Sequence, residues 1–160
     1  MGYWNFCSMR KYETVKTVSG FIETDDNNTI TSVKVSIDTT SIATRDKDRD
    51  GHLLSEDFFF ADKYPTMEFV STNVVKIDAS QYEIYGKLSL RGVTKEIVLD
   101  VVTASPIKDL YGLQRIALEG TSELDRQDFG LKWNQILDNG GLLVGNKVKL
   151  NIESEVTFEG

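Results

Sequence analysis

The chain has 160 residues, 40% of them hydrophobic and 27% charged, the make-up of a soluble globular protein long enough for one domain with a sizeable core. Its formal net charge of −7 argues against holding nucleic acid or an anionic membrane by bulk electrostatics, and no run of Lys and Arg suggests a basic patch. No apolar run approaches the ~20 residues of a membrane helix, so no integral membrane segment of that kind is expected.

The N-terminus, MGYWNFCSMRKYE, lacks the cationic, apolar and small-residue pattern of a signal peptide. A cytoplasmic protein, or a mature form already trimmed of its signal and therefore periplasmic, is expected, and the compartment stays open between the two. The single cysteine, Cys7, forms no intramolecular disulfide and reads as a small core residue, since the only histidine, His52, is far away in sequence.

Alternation with period two then dominates. Val18–Thr24 is a weaker strand candidate, and Val33, Val35 and Ile37 mark a clear one. From Thr44 to Lys63 the alternation breaks; one or two helical turns fit there, with Ser55 as N-cap and Glu56 and Asp57 in the first turn. Met67 and Phe69 begin a strand after Tyr64-Pro65. Tyr82, Ile84, Gly86, Leu88 and Leu90 form the next, joined through a turn at Arg91-Gly92 to Ile97, Leu99 and Val101. Ile116, Leu118, Gly120, Ser122 and Leu124 make another. The last carries Val148, Leu150, Ile152, Val156 and Phe158 on one face. About eight antiparallel strands with one short helical segment predict an all-β barrel or sandwich. No linker or internal repeat divides the chain, which reads as a single domain over residues 1–160.

One stretch spells a calcium loop. In DKDRDGHLLSED, Asp46, Asp48, Asp50 and Asp57 stand at ligand positions and Gly51 stands at the turn. An EF-hand needs an amphipathic helix on each side, however, and the preceding VKVSIDTTSIATR is a β pattern leading into a connector. The closing residue is Asp in place of Glu, which shortens the bidentate arm. An acidic capped turn on a solvated surface is the expected role, with calcium binding at 46–57 kept as an alternative.

Four segments in order resemble the YceI-like family of lipid-binding barrels: RDGHLLSEDFFFADKYPTMEFVST (49–72), GKLSLRGVTKEIVLDV (86–101), LDRQDFGLKWN (124–134) and GGLLVGNKVKLNIESE (140–155). The resemblance runs from about Val18 to the C-terminus. It implies an antiparallel, lipocalin-like barrel enclosing a long isoprenoid chain, such as a polyprenyl phosphate or a quinone tail, with no cofactor. Members usually begin with a strand carrying Asp-Pro and His-Ser elements, and YWNFCSMRKYETVKTVSG shows neither. Either the first strand comes from a different sequence, or the barrel is opened or shortened at that edge. A free edge invites pairing with another chain, so a homodimer and a protein-interaction role stand beside the carrier role.

An eight-stranded barrel has room either for its own side chains or for one slender ligand. The residues expected to line it are Val35, Ile37, Phe58, Phe59, Met67, Phe69, Ile84, Leu88, Leu99, Leu118, Phe129, Trp133, Leu150 and Ile152, with Gly86, Gly120, Ser122 and Ser154 as small gaps. Part of the Phe58–Phe60 cluster plugs the barrel end, and Phe129 with Trp133 forms a flap beside Asn139-Gly140-Gly141. Arg45, Arg49, His52 and Asn134 are the candidates for a polar head group; for Arg49 the competing role is an ion pair with Asp50, Glu56 or Asp57. No catalytic residue is assigned: one histidine in an acidic turn does not make a Ser-His-acid arrangement.

Overall fold

In a computed structural model, which describes residues 2–4, 14–15 and 18–158, the alternating segments become strands of a curled nine-stranded antiparallel sheet, beside which a short pair of strands stands apart. In chain order the elements are β1 (Gly2–Trp4), β2 (Thr14–Val15), β3 (Val18–Thr24), β4 (Ile30–Asp38), β5 (Ile42–Ala43), helix α1 (Lys47–Leu54), β6 (Thr66–Lys76), β7 (Gln81–Leu90), β8 (Val93–Thr103), β9 (Ile107–Lys108), β10 (Gln114–Asp125) and β11 (Lys147–Phe158), with β2 and β5 pairing only with each other. The spatial order is β11-β1-β3-β4-β6-β7-β8-β10-β9, and β10 also pairs with β11, so the sheet closes on itself. Cys7 and most of the divergent N-terminal stretch lie outside the described residues.

Each ladder follows from its sequence. β10 and β11 pair without interruption from Gln114↔Phe158 to Asp125↔Lys147, two long alternating segments with matched inward faces. β7 and β8 pair from Gln81↔Val102 to Leu90↔Val93. Their turn has φ of 52° at Arg91 and 73° at Gly92, the two left-handed residues of a type I′ hairpin that suits the strand twist. Arg91 takes on this costly conformation while donating to the carbonyls of Gly130 (2.6 Å) and Glu56 (2.5 Å), tying two loops to the hairpin tip. A register shift between Ser71 and Asn73 bends β6, as bulges do in closed sheets. Ser71 Oγ fills the gap by accepting from Val33 N at 2.8 Å.

Closure at the N-terminal edge is short. β1 meets β11 through Gly2↔Phe158, Tyr3↔Thr157 and Trp4↔Val156, and β3 through Gly2↔Ile22 and Tyr3↔Phe21. The described register of β1 reaches no further along β3 than Phe21 and no further along β11 than Val156. β1 is described over Gly2–Trp4; the rest of the stretch on which the sequence raised an opened or shortened edge lies outside the described residues.

The core is the inward face of the ring, chiefly Ile22, Val33, Met67, Phe69, Tyr82, Ile84, Leu88, Leu99, Val101, Leu118 and Val156. Gly86 is one of the expected gaps, and its space is taken: a Cβ there would lie 2.4 Å from Phe69 Cζ and 2.6 Å from Val70 O. Gly120 differs, since its Cβ would meet Ile152 and Val101 only at ordinary contact, 3.5 Å and 3.6 Å.

The segment from Asp38 to Pro65 and the loop 126–146 gather at the end of the barrel marked by the Arg91–Gly92 turn. Here the helix differs from expectation: it precedes Ser55. Asp46 is its N-cap, Oδ1 accepting from Asp48 N and Arg49 N at 3.1 Å each. Ser55 ends it, its hydroxyl donating to His52 O at 2.6 Å. Aspartate accepts from the free amides of a first turn as well as serine does.

Arg126, 4% exposed, organises the loop after β10. Its guanidinium donates to the carbonyls of Gly145 (2.8 Å), Leu131 (2.6 Å), Trp133 (2.8 Å) and Val144 (3.4 Å) and to Asn146 Oδ1 (3.4 Å). A buried cation is tolerable only when its donors are all met.

Two outcomes follow. Gly86→Ala drives a methyl into the Phe69 ring and the β6 backbone and is expected to cost about 1–3 kcal/mol in denaturant unfolding; parental stability would show that the ring is not seated there. Arg126→Met strands several carbonyls at once and is expected to cost at least about 3 kcal/mol. Hydrogen exchange would rise in 130–146 before the strands, whereas uniform exchange would contradict the role given to Arg126.

Candidate functional site

The side chains expected to line the barrel fall into two groups. Phe58, Met67, Phe69, Ile84, Leu88, Leu99, Leu118 and Phe129 are buried in one apolar cluster. Val35, Ile37, Phe59, Trp133, Leu150 and Ile152 are only half-buried. Val35, Ile37, Leu150 and Ile152 share the inward register of buried residues, yet solvent still reaches them. Along β11 the change is graded: Val156 is 1% exposed and Ser154 9%, while Ile152, Leu150 and Val148 above them are half-buried. Ser122 and Leu124 of β10, and Val18 and Gly20 of β3, are half-buried too. The accessible part of the inner wall therefore lies beyond the described register of β1 on β3 and β11. An apolar inward surface that stays half-exposed is the feature a hydrocarbon guest would use.

An aromatic stopper closes the other side of this end. The His52 ring stands edge-on to Trp133 (4.5 Å between centroids) and to Phe58 (5.0 Å), and Phe58 lies 5.4 Å from Trp133. Phe60 turns away, with φ of 49°, toward Tyr64 at 6.0 Å. The three consecutive phenylalanines are thus divided between plug, partial cover and surface. The expected flap does not form as a unit: Phe129 is sealed at 1% exposure, and Trp133 is held from behind by Arg126 through its carbonyl.

Of the four head-group candidates, three already have partners within the chain. Arg49 donates to Thr44 Oγ1 (2.8 Å) and Thr44 O (3.0 Å), and Thr44 Oγ1 in turn donates to Asp50 Oδ1 at 2.6 Å. The expected Arg49–Asp50 pair is in effect relayed through Thr44. His52 Nε2 lies 2.9 Å from Asp57 Oδ2. Asn134 accepts from Val144 N (3.0 Å) and donates to Val144 O (2.7 Å), pinning the loop. Arg45 is exposed, with φ of 66°.

The carboxylates of the calcium-like spelling diverge for the same reason: Asp46 caps the helix, Asp50 binds Thr44 and Asp57 binds His52. No group of three or more metal-ligating side chains forms among the described residues.

Two features were missed in the sequence. Arg126 continues the inward series of Leu118, Gly120, Ser122 and Leu124, and a charge on that register was the available signal for a buried network. Ser154 was noted for its size and not for its hydroxyl. Two further hollows, of about 360 Å³ beside Ser19, Ser36 and Thr66 and about 280 Å³ beside Asn73, Tyr85 and Val98, lie against the outer faces of strands. They add nothing to the inner wall.

With this geometry in hand, comparison with known proteins gives a consistent result. A family model described as a YceI-like domain matches residues 6–156. A UPF0312 protein of Vibrio cholerae is 40% identical over 106 residues, 66% of this chain and 56% of the relative, so the chain matches little more than half the length of that protein. The YceI protein of Campylobacter jejuni, whose crystals have large solvent channels, superposes with a TM-score of 0.83 at 28% identity, covering 98% of this chain and 90% of that one. A polyisoprenoid binding domain from Saccharophagus degradans, implicated in plant cell wall breakdown, shares the fold with a TM-score of 0.62 at 17% identity over 91% of this chain and 84% of its own. Matched by the family model over nearly all of its length, and built on the same barrel, the chain belongs to the YceI-like family.

Proposed function

We propose that the chain is a non-catalytic carrier for a long-chain amphiphile, an isoprenoid whose tail lies along the half-exposed inner wall of β4 and β11. The observation that carries this is the inward-facing, apolar and incompletely covered row of Val35, Ile37, Leu150 and Ile152. Each methylene removed from water contributes about 0.8 kcal/mol, so a long tail needs few polar contacts to be held. The Saccharophagus degradans domain, described as polyisoprenoid binding, supports the same ligand class through the shared fold. The sole histidine is paired with Asp57 and packed against Phe58 and Trp133, which favours a structural role over proton transfer.

Protein purified from cells and extracted with organic solvent is expected to release a long-chain lipid identifiable by mass spectrometry. Extracts with none, from a protein that also fails to take up an added isoprenoid, would refute the proposal. Filling the wall is the complementary test. Ile152→Trp places a large ring where the tail would run and is expected to weaken lipid uptake at least about tenfold while leaving the far-ultraviolet spectrum unchanged. Val98→Trp, on the outer face, is expected to leave uptake unaltered. Equal uptake by both variants would place the lipid elsewhere.

A further inference from the structure

Among the described residues, one buried side-chain polar atom has no hydrogen-bond partner: Ser154 Oγ. The others are met. Thr39 donates to Tyr64 O at 2.9 Å, Thr44 to Asp50 at 2.6 Å, and Arg126 to its carbonyls. Ser122, on the inward register of β10, donates to Val98 O at 2.7 Å. A hydroxyl sealed from water without a partner is costly and marks a group waiting for one. Ser154 sits opposite Leu118, between Ile152 and Val156 on the inward face of β11. It lies at the point where that face passes from half-exposed to buried. Gly120, paired with Ile152, leaves space for a methyl group at ordinary contact distance one position away.

We propose that Ser154 is the polar contact of the inner wall, donating its hydrogen bond to an uncharged carbonyl on the head of the bound amphiphile. This inference rests on the carrier role and adds the head group's chemistry and its direction. The head enters first and stops at Ser154, and the tail runs back along Ile152, Leu150 and the β4 side. The inward neighbours Leu118, Gly120, Ile152 and Val156 carry no charge, and Arg126 has its donors committed to the loop carbonyls. Among the described residues, no cation stands on this inward face beside Ser154 to meet a buried phosphate, which disfavours one there. A carbonyl needs only the single donor that the site has to spare.

The test uses the whole chain and three probes with the same isoprenoid tail: one ending in a quinone, one in a phosphate and one in plain hydrocarbon. Wild type and Ser154→Ala are each titrated with all three. The wild type is expected to bind the quinone roughly three- to tenfold tighter than the hydrocarbon, the worth of one hydrogen bond. Ser154→Ala is expected to erase that difference while binding the hydrocarbon as before. A preference that survives in Ser154→Ala, no preference in the wild type, or phosphate bound tightest by both proteins would overturn the assignment and leave the carrier role standing. No binding of any probe to the wild type would remove the carrier role, and Ser154's role with it. Thermal unfolding without lipid supplies an independent readout. Ser154→Ala loses only an unpaired hydroxyl and is expected to melt at the same or a higher temperature; a lower one would mean that Ser154 serves the fold.

Discussion

Closing the sheet on itself is the constraint from which the rest follows. Once β10 pairs with β11 and β1 bridges β11 to β3, alternate side chains of every strand must enter one shared interior. Bulk is distributed unevenly within it. Phe69 lies over Gly86 and fills the β6–β7 side, whereas the β10–β11 side carries Gly120, Ser122 and Ser154 at corresponding inward positions. Along the β11 wall, side chains grow more accessible from Val156 to Val148, and that graded apolar exposure is what the proposed guest would cover.

The upper end is arranged by polar groups that serve the chain itself. Arg126 collects the carbonyls of the loop after β10, Arg91 ties that loop to the segment after α1, and Asp50, Thr44 and Arg49 hold the helix against its connector. Charges at such a mouth invite assignment to a ligand, but most of their donors and acceptors are spoken for. Under the proposed carrier role, recognition falls to apolar area and to the unpaired Ser154 hydroxyl, as slender hydrophobic ligands are held elsewhere.

The ring strands were legible in the sequence because half-buried β-strands announce themselves by alternation, and here Val33–Ile37, Tyr82–Leu90 and Val148–Phe158 do so plainly. The family motifs added the barrel. The helix position was misjudged because Asp46 and Ser55 are both good caps, and local preference does not say which one the tertiary contacts will use. Head-group candidates were chosen by residue type, yet whether Arg49 or Asn134 is free depends on partners distant or irregular in sequence, such as Val144 for Asn134. Alternation also could not show that a side chain at Gly86 would clash while one at Gly120 would meet only ordinary contact, since each glycine's neighbours come from other strands. The three-residue β1 carries too short a pattern to be read at all.

Covalent mapping of the bound tail addresses the central claim most directly. An isoprenoid bearing a photoreactive diazirine midway along its tail, irradiated in complex with the protein and followed by peptide sequencing, is expected to label Val35, Ile37, Leu150 or Ile152. Labelling confined to the exposed outer-face residues Val70, Val75 and Val102, or no labelling above a free-diazirine control, would contradict a tail held against the inner wall.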